Sequence, residues 1–377
     1  MVDRTDIVQK LRNYLNDQQF VQTEFARAFE MAKEKAGPLF EQFEIKIETV
    51  DDYLDYYDML VKWVPTETKD GTYVYNHLCL FYFVLGQDPL LGTQSTTRPT
   101  THSPYTWLSR WIIEYAKEMG KWMDTTESIT AETIATFYKA ESYHMEEYED
   151  TEWQTFNEFF ARRLKPGVRP IDGGLDDNTV IVSPADAKFD IALPVEEGGV
   201  VKIKGVPWSI TQLLDHDRGD KIGPSFDGGM FCHSLPTTTT ASTPRFTFVP
   251  GDDNEPAHLR MRRSMDVDNP ARRLDVPNDA GYQFIQARAL ILIDTTEMGL
   301  VAVLPIGMAQ VSSVKLSVGA GDKVKKGDEL AYFQLGGSDV VTVFQERANV
   351  TFTAEANVHY NYGKQIATAN PLPDNDQ

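Results

Sequence analysis

Residues 334–344 read QLGGSDVVTVF, and a Gly336–Gly337–Ser338–Asp339 corner interrupts an alternating apolar strand there. Glycines inside such a strand mark a bulge or a close approach of backbone to backbone. Two roles stay open for Ser338: an ordinary turn residue, or a hydroxyl placed to attack its own main chain. The second needs help, because a serine without an adjacent base is a poor nucleophile. Asp339 is the adjacent carboxylate, and a carboxylate serves as that base only when its affinity for a proton is raised by its surroundings.

The elements that must position this corner divide in two. Up to about residue 140 the pattern is helical. Leu54, Tyr57, Val61 and Val64 fall at helical spacing, with Pro65 as the stop. Leu108, Trp111, Ile112, Tyr115, Met119 and Trp122 form a second stripe, which is core rather than a cofactor contact. The polar loop LGTQSTTRPTTHSPY joins them as a connector. The acidic stretch ESYHMEEYEDTEW marks the boundary between a helical domain, 1–145, and a β-rich domain, 146–377. The second domain opens with TFNEFFARRLKPGVRPI, a short helix and a Pro-Gly turn. It continues in short strands: TVIVSPADAKFDIALP, GGVVKIKGVPW, RFTFVPGD, ALILIDT and LVAVLPIGM. Hairpins are expected at Gly319–Asp322 and at Lys326–Asp328. The fold class is α+β.

Composition narrows the partners. The 377 residues are 41% hydrophobic and 24% charged, ordinary for a globular protein with a sizeable core. A formal net charge of -20 argues against nucleic acid, which needs a dense basic face, and against stable docking on an anionic leaflet. The first twenty residues mix acidic side chains through a short apolar pattern, unlike a secretory signal or transit peptide. Cys79 and Cys232 are the two cysteines, far apart and without metal-ligand spacing. They suggest a reduced, cytoplasmic setting and no metal site.

Four blocks taken together, TFNEFFARRLKPGVRPI, VSPADA, KIKGVPWSITQLL and VKKGDELAYFQLGGSDVVTVF, resemble the phosphatidylserine decarboxylase family. The helical region, with DDYLDYYDMLVKWVP and LSRWIIEYAKEMGKWMD, resembles the domain that precedes the catalytic part in fungal tryptophan-decarboxylase-like members. The resemblance implies a proenzyme in which Ser338 attacks the Gly337 carbonyl. The resulting ester would eliminate, cutting the chain between Gly337 and Ser338 and leaving a pyruvoyl group on the new N-terminus. It also implies that Asp186, in SPADA, is the aspartate that orients the base, as in a triad.

The sequence departs from that pattern where the base should be. The family's two-histidine segment corresponds to TTTTASTP, which places Thr239 and Ser242 at the histidine positions. A hydroxyl does not replace imidazole near neutral pH. Asp339 stands where the family has Thr or Ser. The family's Asn-Glu-Arg segment becomes Gln286-Ala287-Arg288, keeping the arginine. His233 and His359 are the histidines considered as substitutes, each weighed against an ordinary surface or satisfied core role. The candidate catalytic residues are therefore Ser338, Asp186, Asp339 and His233. Gly337 and Ser338 form the processing site, and Thr239, Ser242 and Arg288 are candidate substrate contacts.

The expected function is an enzyme of this fold that does not self-cleave. It would act on a small soluble carboxylate or amino-acid derivative, in the manner of fungal secondary metabolism. No cofactor is expected, with pyruvoyl arising from Ser338 only if cleavage occurs. Two alternatives stay open: a self-processed pyruvoyl-dependent amino-acid decarboxylase, and a non-catalytic homologue that binds a metabolite or a partner chain. A homo-oligomer is left open as well. The charge yields a first prediction: the protein stays in the supernatant with phosphatidylserine vesicles at physiological salt. Co-sedimentation of most of it would contradict this.

Overall fold

The computed structural model describes residues 5–40, 46–95, 104–203, 206–214, 222–236, 242–244, 289–295, 297–307, 313–319, 321–335 and 337–373. Helices occupy the first part: α1 (Asp6–Asp17), α2 (Gln19–Phe40), α3 (Val50–Val61), α4 (Tyr73–Leu85), α5 (Asp88–Leu91), α6 (Trp107–Met123), α7 (Ala131–Phe137) and α8 (Phe156–Phe160). The start of α3 is fixed by a capping box, in which the Thr49 hydroxyl accepts from the Asp52 N–H and the Asp52 carboxylate accepts from the Thr49 N–H. The spacing predicts α3 through Val64, but it ends at Val61. Lys62 leaves helical geometry, and the Lys62 and Trp63 N–H groups turn back to Met59 and Leu60 in a tightened last turn. The expected α6 stripe is observed, with Trp122 partly buried at its end.

This core is aromatic. Tyr53, Tyr57, Phe81, Trp111 and Tyr115 pack ring on ring. Their polar tips are satisfied by main chain: Tyr115 donates to Tyr57 O at 2.6 Å and Trp111 Nε1 donates to Ile7 O at 2.7 Å. Burial pushes the Tyr57 and Tyr115 hydroxyls far above their usual range, so they remain neutral donors.

The second part holds β1 (Val180–Val182), β2 (Ala187–Pro194), β3 (Val200–Ile203), β4 (Val206–Ser209), α9 (Ile210–Leu214), β5 (Met230–Pro236), β6 (Ser242–Pro244), β7 (Ile291–Thr295), β8 (Gly299–Gly307), β9 (Ser313–Leu316), β10 (Glu329–Gln334), β11 (Gly337–Phe344), β12 (Val350–Phe352), β13 (His359–Tyr360) and β14 (Gln365–Ala369). The main sheet is antiparallel in the order β13–β2–β5–β11–β8–β7. A central strand buried on both faces must be apolar on both, and β11 is. Val341 and Val343 enter one core with Phe231, Leu304 and Trp208, while Val340 and Phe344 enter another with Val301, Val303 and Ala367. In the stretch 317–344, hairpins were expected at Gly319–Asp322 and at Lys326–Asp328. The described residues instead form one antiparallel pair, β9 with β10, whose long connection carries both turns, closed by Asp322 N–H to Gly319 O and Asp328 N–H to Lys325 O. The RFTFVPGD run and most of the polar loop at 91–105 lie outside the described residues.

The two parts meet at the corner before Gly337. Leu335 is fully buried and belongs to the core of the helical part. Its N–H donates to the Asn157 side-chain oxygen at 3.3 Å, and the Asn157 amide donates to Asp124 at the end of α6 at 2.8 Å. Leu335, two residues ahead of Gly337, is thus fastened to the helices by its apolar side chain and one buried amide. Leu335→Ala should cost about 2–5 kcal/mol, the usual range for a buried leucine. A loss of unfolding free energy smaller than about 1 kcal/mol would show that the anchor is unimportant.

Candidate active site

Two register breaks set the geometry. On β2, Phe189 faces Ser234 and Ile191 faces His233, so Asp190 is the extra residue of a bulge. On β11, Gly337 faces Gly307 and Asp339 faces Ile306, so Ser338 is the extra residue there. Bulges re-aim side chains and are common beside working sites. Between the two bulged strands runs β5, with His233 pairing Val341 on β11.

His233 is bracketed by carboxylates. Its Nδ1 lies 2.7 Å from Asp190 Oδ2, and its Nε2 lies 3.5 Å from Asp339 Oδ2. The first is a charge-assisted hydrogen bond and the second an ion-pair distance. The trio is graded in exposure: the Asp190 side chain is 33% exposed, His233 3% and Asp339 0%. Burial by itself pushes the imidazole down. Asp190 and Asp339 outweigh it, raising the His233 pKa to about 9. That direction favours the protonated imidazole near neutral pH, hydrogen-bonded through Nδ1 to Asp190, with Nε2 at ion-pair distance from the buried Asp339 carboxylate.

Asp186 sits in its own cluster. It immediately precedes β2 and is 3% exposed. Its carboxylate accepts from Arg169 Nη2 at 2.9 Å and from the Tyr362 N–H at 2.6 Å. Arg169 also pairs with Glu147 at 2.6 Å, tying Asp186 to the chain ahead of α8 and holding the Glu147 carboxyl below its usual range. The role expected for Asp186 was to orient an imidazole; the partners observed are a guanidinium and a main-chain amide. Ala187 faces Pro236, and the β5–β11 register runs toward that same residue. Asp186 thus immediately precedes β2 and Ser338 lies near the start of β11, on the two strands that flank β5.

Of the other expected residues, Gly337 and Ser338 open β11. Ser242 begins β6 and pairs with Tyr332 of β10. Thr239 and Arg288 lie outside the described residues. His359 is exposed on β13, with Nε2 3.1 Å from Asn361 Oδ1, so the sheet brings His233 and not His359 to Asp339. Three contributors escaped the sequence reading: Asp190, Arg169 and Asn157. Asp190 had a signal, a lone carboxylate in the strand KFDIALP.

A family model for phosphatidylserine decarboxylase matches residues 156–235 and 259–368 of the chain. The matched segments begin at α8 and break across 236–258, the stretch that holds Thr239 and Ser242. Phosphatidylserine decarboxylase proenzyme 2 of Saccharomyces cerevisiae is 26% identical over 256 residues, 66% of this chain and 21% of that protein. Proenzyme 3 of Schizosaccharomyces pombe is 31% identical over 208 residues, 53% of this chain and 19% of that protein. The decarboxylase iboD of Amanita muscaria is 27% identical over 219 residues, 53% of this chain and 61% of that protein. The chain spans about a fifth of the length of the two yeast relatives.

The raised His233 pKa fixes the sign of a stability effect. The stabilisation is fully present below the unfolded value of about 6.5 and is lost as pH rises through about 9. His233→Gln leaves a buried carboxylate without its counter-charge and should cost about 3–5 kcal/mol at pH 6.5. The gap from the parent protein should narrow between pH 6.5 and 9, measured by denaturation across that range. A constant gap would mean His233 is not charged in the folded protein.

Proposed function

The chain belongs to the phosphatidylserine decarboxylase family, and from that premise we propose that it is a decarboxylase-like enzyme whose Gly337–Ser338 bond stays closed. The reading rests above all on the bracketed His233. Among the described residues it is the imidazole on the strand next to β11, and it already holds its proton. A cation cannot take the Ser338 proton. His233 therefore does not fit the role of base in forming a pyruvoyl group near neutral pH, and no step is routed through one. The break in the family match over 236–258 supports the same reading.

The substrate is a small soluble carboxylate or amino-acid derivative, and the setting is cytoplasmic secondary metabolism. The acidic charge and the similarity to a fungal decarboxylase favour this over a bilayer lipid. Among the described residues no helix is long and apolar enough to cross a membrane. The trio of Asp190, His233 and Asp339 provides an acid whose proton can be passed toward the corner at Ser338.

The proenzyme names of the yeast relatives and the retained Gly337–Ser338 pair favour a second reading, self-processing to a pyruvoyl enzyme. A carbonyl reagent separates the two. The purified protein should form no adduct with hydroxylamine. A 40-residue fragment starting at position 338 and blocked by a hydroxylamine-reactive group would establish the second reading instead. Turnover of a panel of small soluble carboxylates and amino-acid derivatives should fall about 10²-fold or more in Asp339→Asn, the contribution typical of a positioned acid. Turnover unchanged in that variant would remove the trio from the mechanism.

A further inference from the structure

The trio makes a prediction that holds whether or not the Gly337–Ser338 bond opens. We infer that Asp190 is a positioning residue, which sets His233 as the proton donor to Asp339 beside the Gly-Ser corner. The family resemblance assigns no role to Asp190 or to this histidine; the assignment comes from the two bulges and the distances between them.

The geometry is directional. Asp190 accepts from Nδ1, so the ring is oriented with Nε2–H toward Asp339. At 3.5 Å the second contact is longer than a formed hydrogen bond. Catalytic hydrogen bonds are often long before substrate binds. The step is simple: the Nε2–H bond breaks, an O–H bond forms on Asp339, and a neutral imidazole remains with Nδ1–H on Asp190. The three groups carry one net negative charge before and after, so the buried site pays no extra desolvation. Asp339, fully buried and next in chain to Ser338, then becomes an acid at the corner.

The surrounding groups do not compete for this proton. From β2, Lys188 is exposed, and across it on β13 His359 is exposed as well. On β5, the neighbouring Cys232 thiol is pushed up to about 12 by burial and so is neutral. Below the strands lies the apolar core of Val341, Phe231 and Ile306. Asp190, a third exposed, is the member through which the trio meets solvent.

The test follows the imidazole itself, by titration of histidine 15N and 1H signals in the full-length protein, with His233→Gln to assign the resonance. In the parent protein His233 should titrate near 9 with a protected Nδ1–H. Asp190→Asn should lower that value by about 1–3 units, as loss of an adjacent opposite charge does, and unprotect the Nδ1–H. Asp190→Glu should restore both. A His233 that titrates below about 6.5 in the parent protein, where burial alone would place it, overturns the inference without any variant. So does an Asp190→Asn protein that melts lower but keeps its His233 titration, the signature of a merely structural residue. Gel mobility of the same samples reports separately on the Gly337–Ser338 bond, so an opened chain would count against the proposed function and leave the Asp190 assignment standing.

Discussion

A fully buried carboxylate in the central strand of a sheet is the constraint around which this site is arranged. Asp339 lies between Ser338 and Val340 on β11, with apolar neighbours on both faces of the strand. An unpaired charge there would cost several kcal/mol. The chain answers with an imidazole on the next strand, and that imidazole is in turn held by a bulged aspartate one strand further out. Three adjacent strands each contribute one member, so the sheet's hydrogen-bond ladder is also the scaffold that fixes their spacing.

That arrangement decides what the neighbouring serine can do. An attacking serine needs an unprotonated base, and two flanking carboxylates favour the protonated form of His233. The same pairing that makes burial of Asp339 tolerable turns the imidazole from an acceptor into a donor. The helical part contributes through Leu335 and Asn157, which hold the residue that follows β10.

Much of this was legible in the sequence, for physical reasons. The α6 stripe and the β-branched strands follow from periodicity. Ser338, Asp339 and His233 stood out because their residue types can do chemistry. Asp190 did not stand out, since a bulge is a break in register and register is set by pairing with a distant strand. The contacts of Asp186 with Arg169 and the Tyr362 N–H were not legible either, since they join residues 17 and 176 positions apart in the chain. The hairpins expected at Gly319–Asp322 and at Lys326–Asp328 illustrate the same limit: both local turns formed, but strand pairing across them made one hairpin rather than two.

The most direct test of the account is the intact mass of the purified protein held near neutral pH. A cationic His233 predicts one species at the full 42.6 kDa, with Gly337 and Ser338 still joined. Two chains in equal amount, the smaller beginning at position 338, would show that Ser338 finds a base after all and would contradict the central claim.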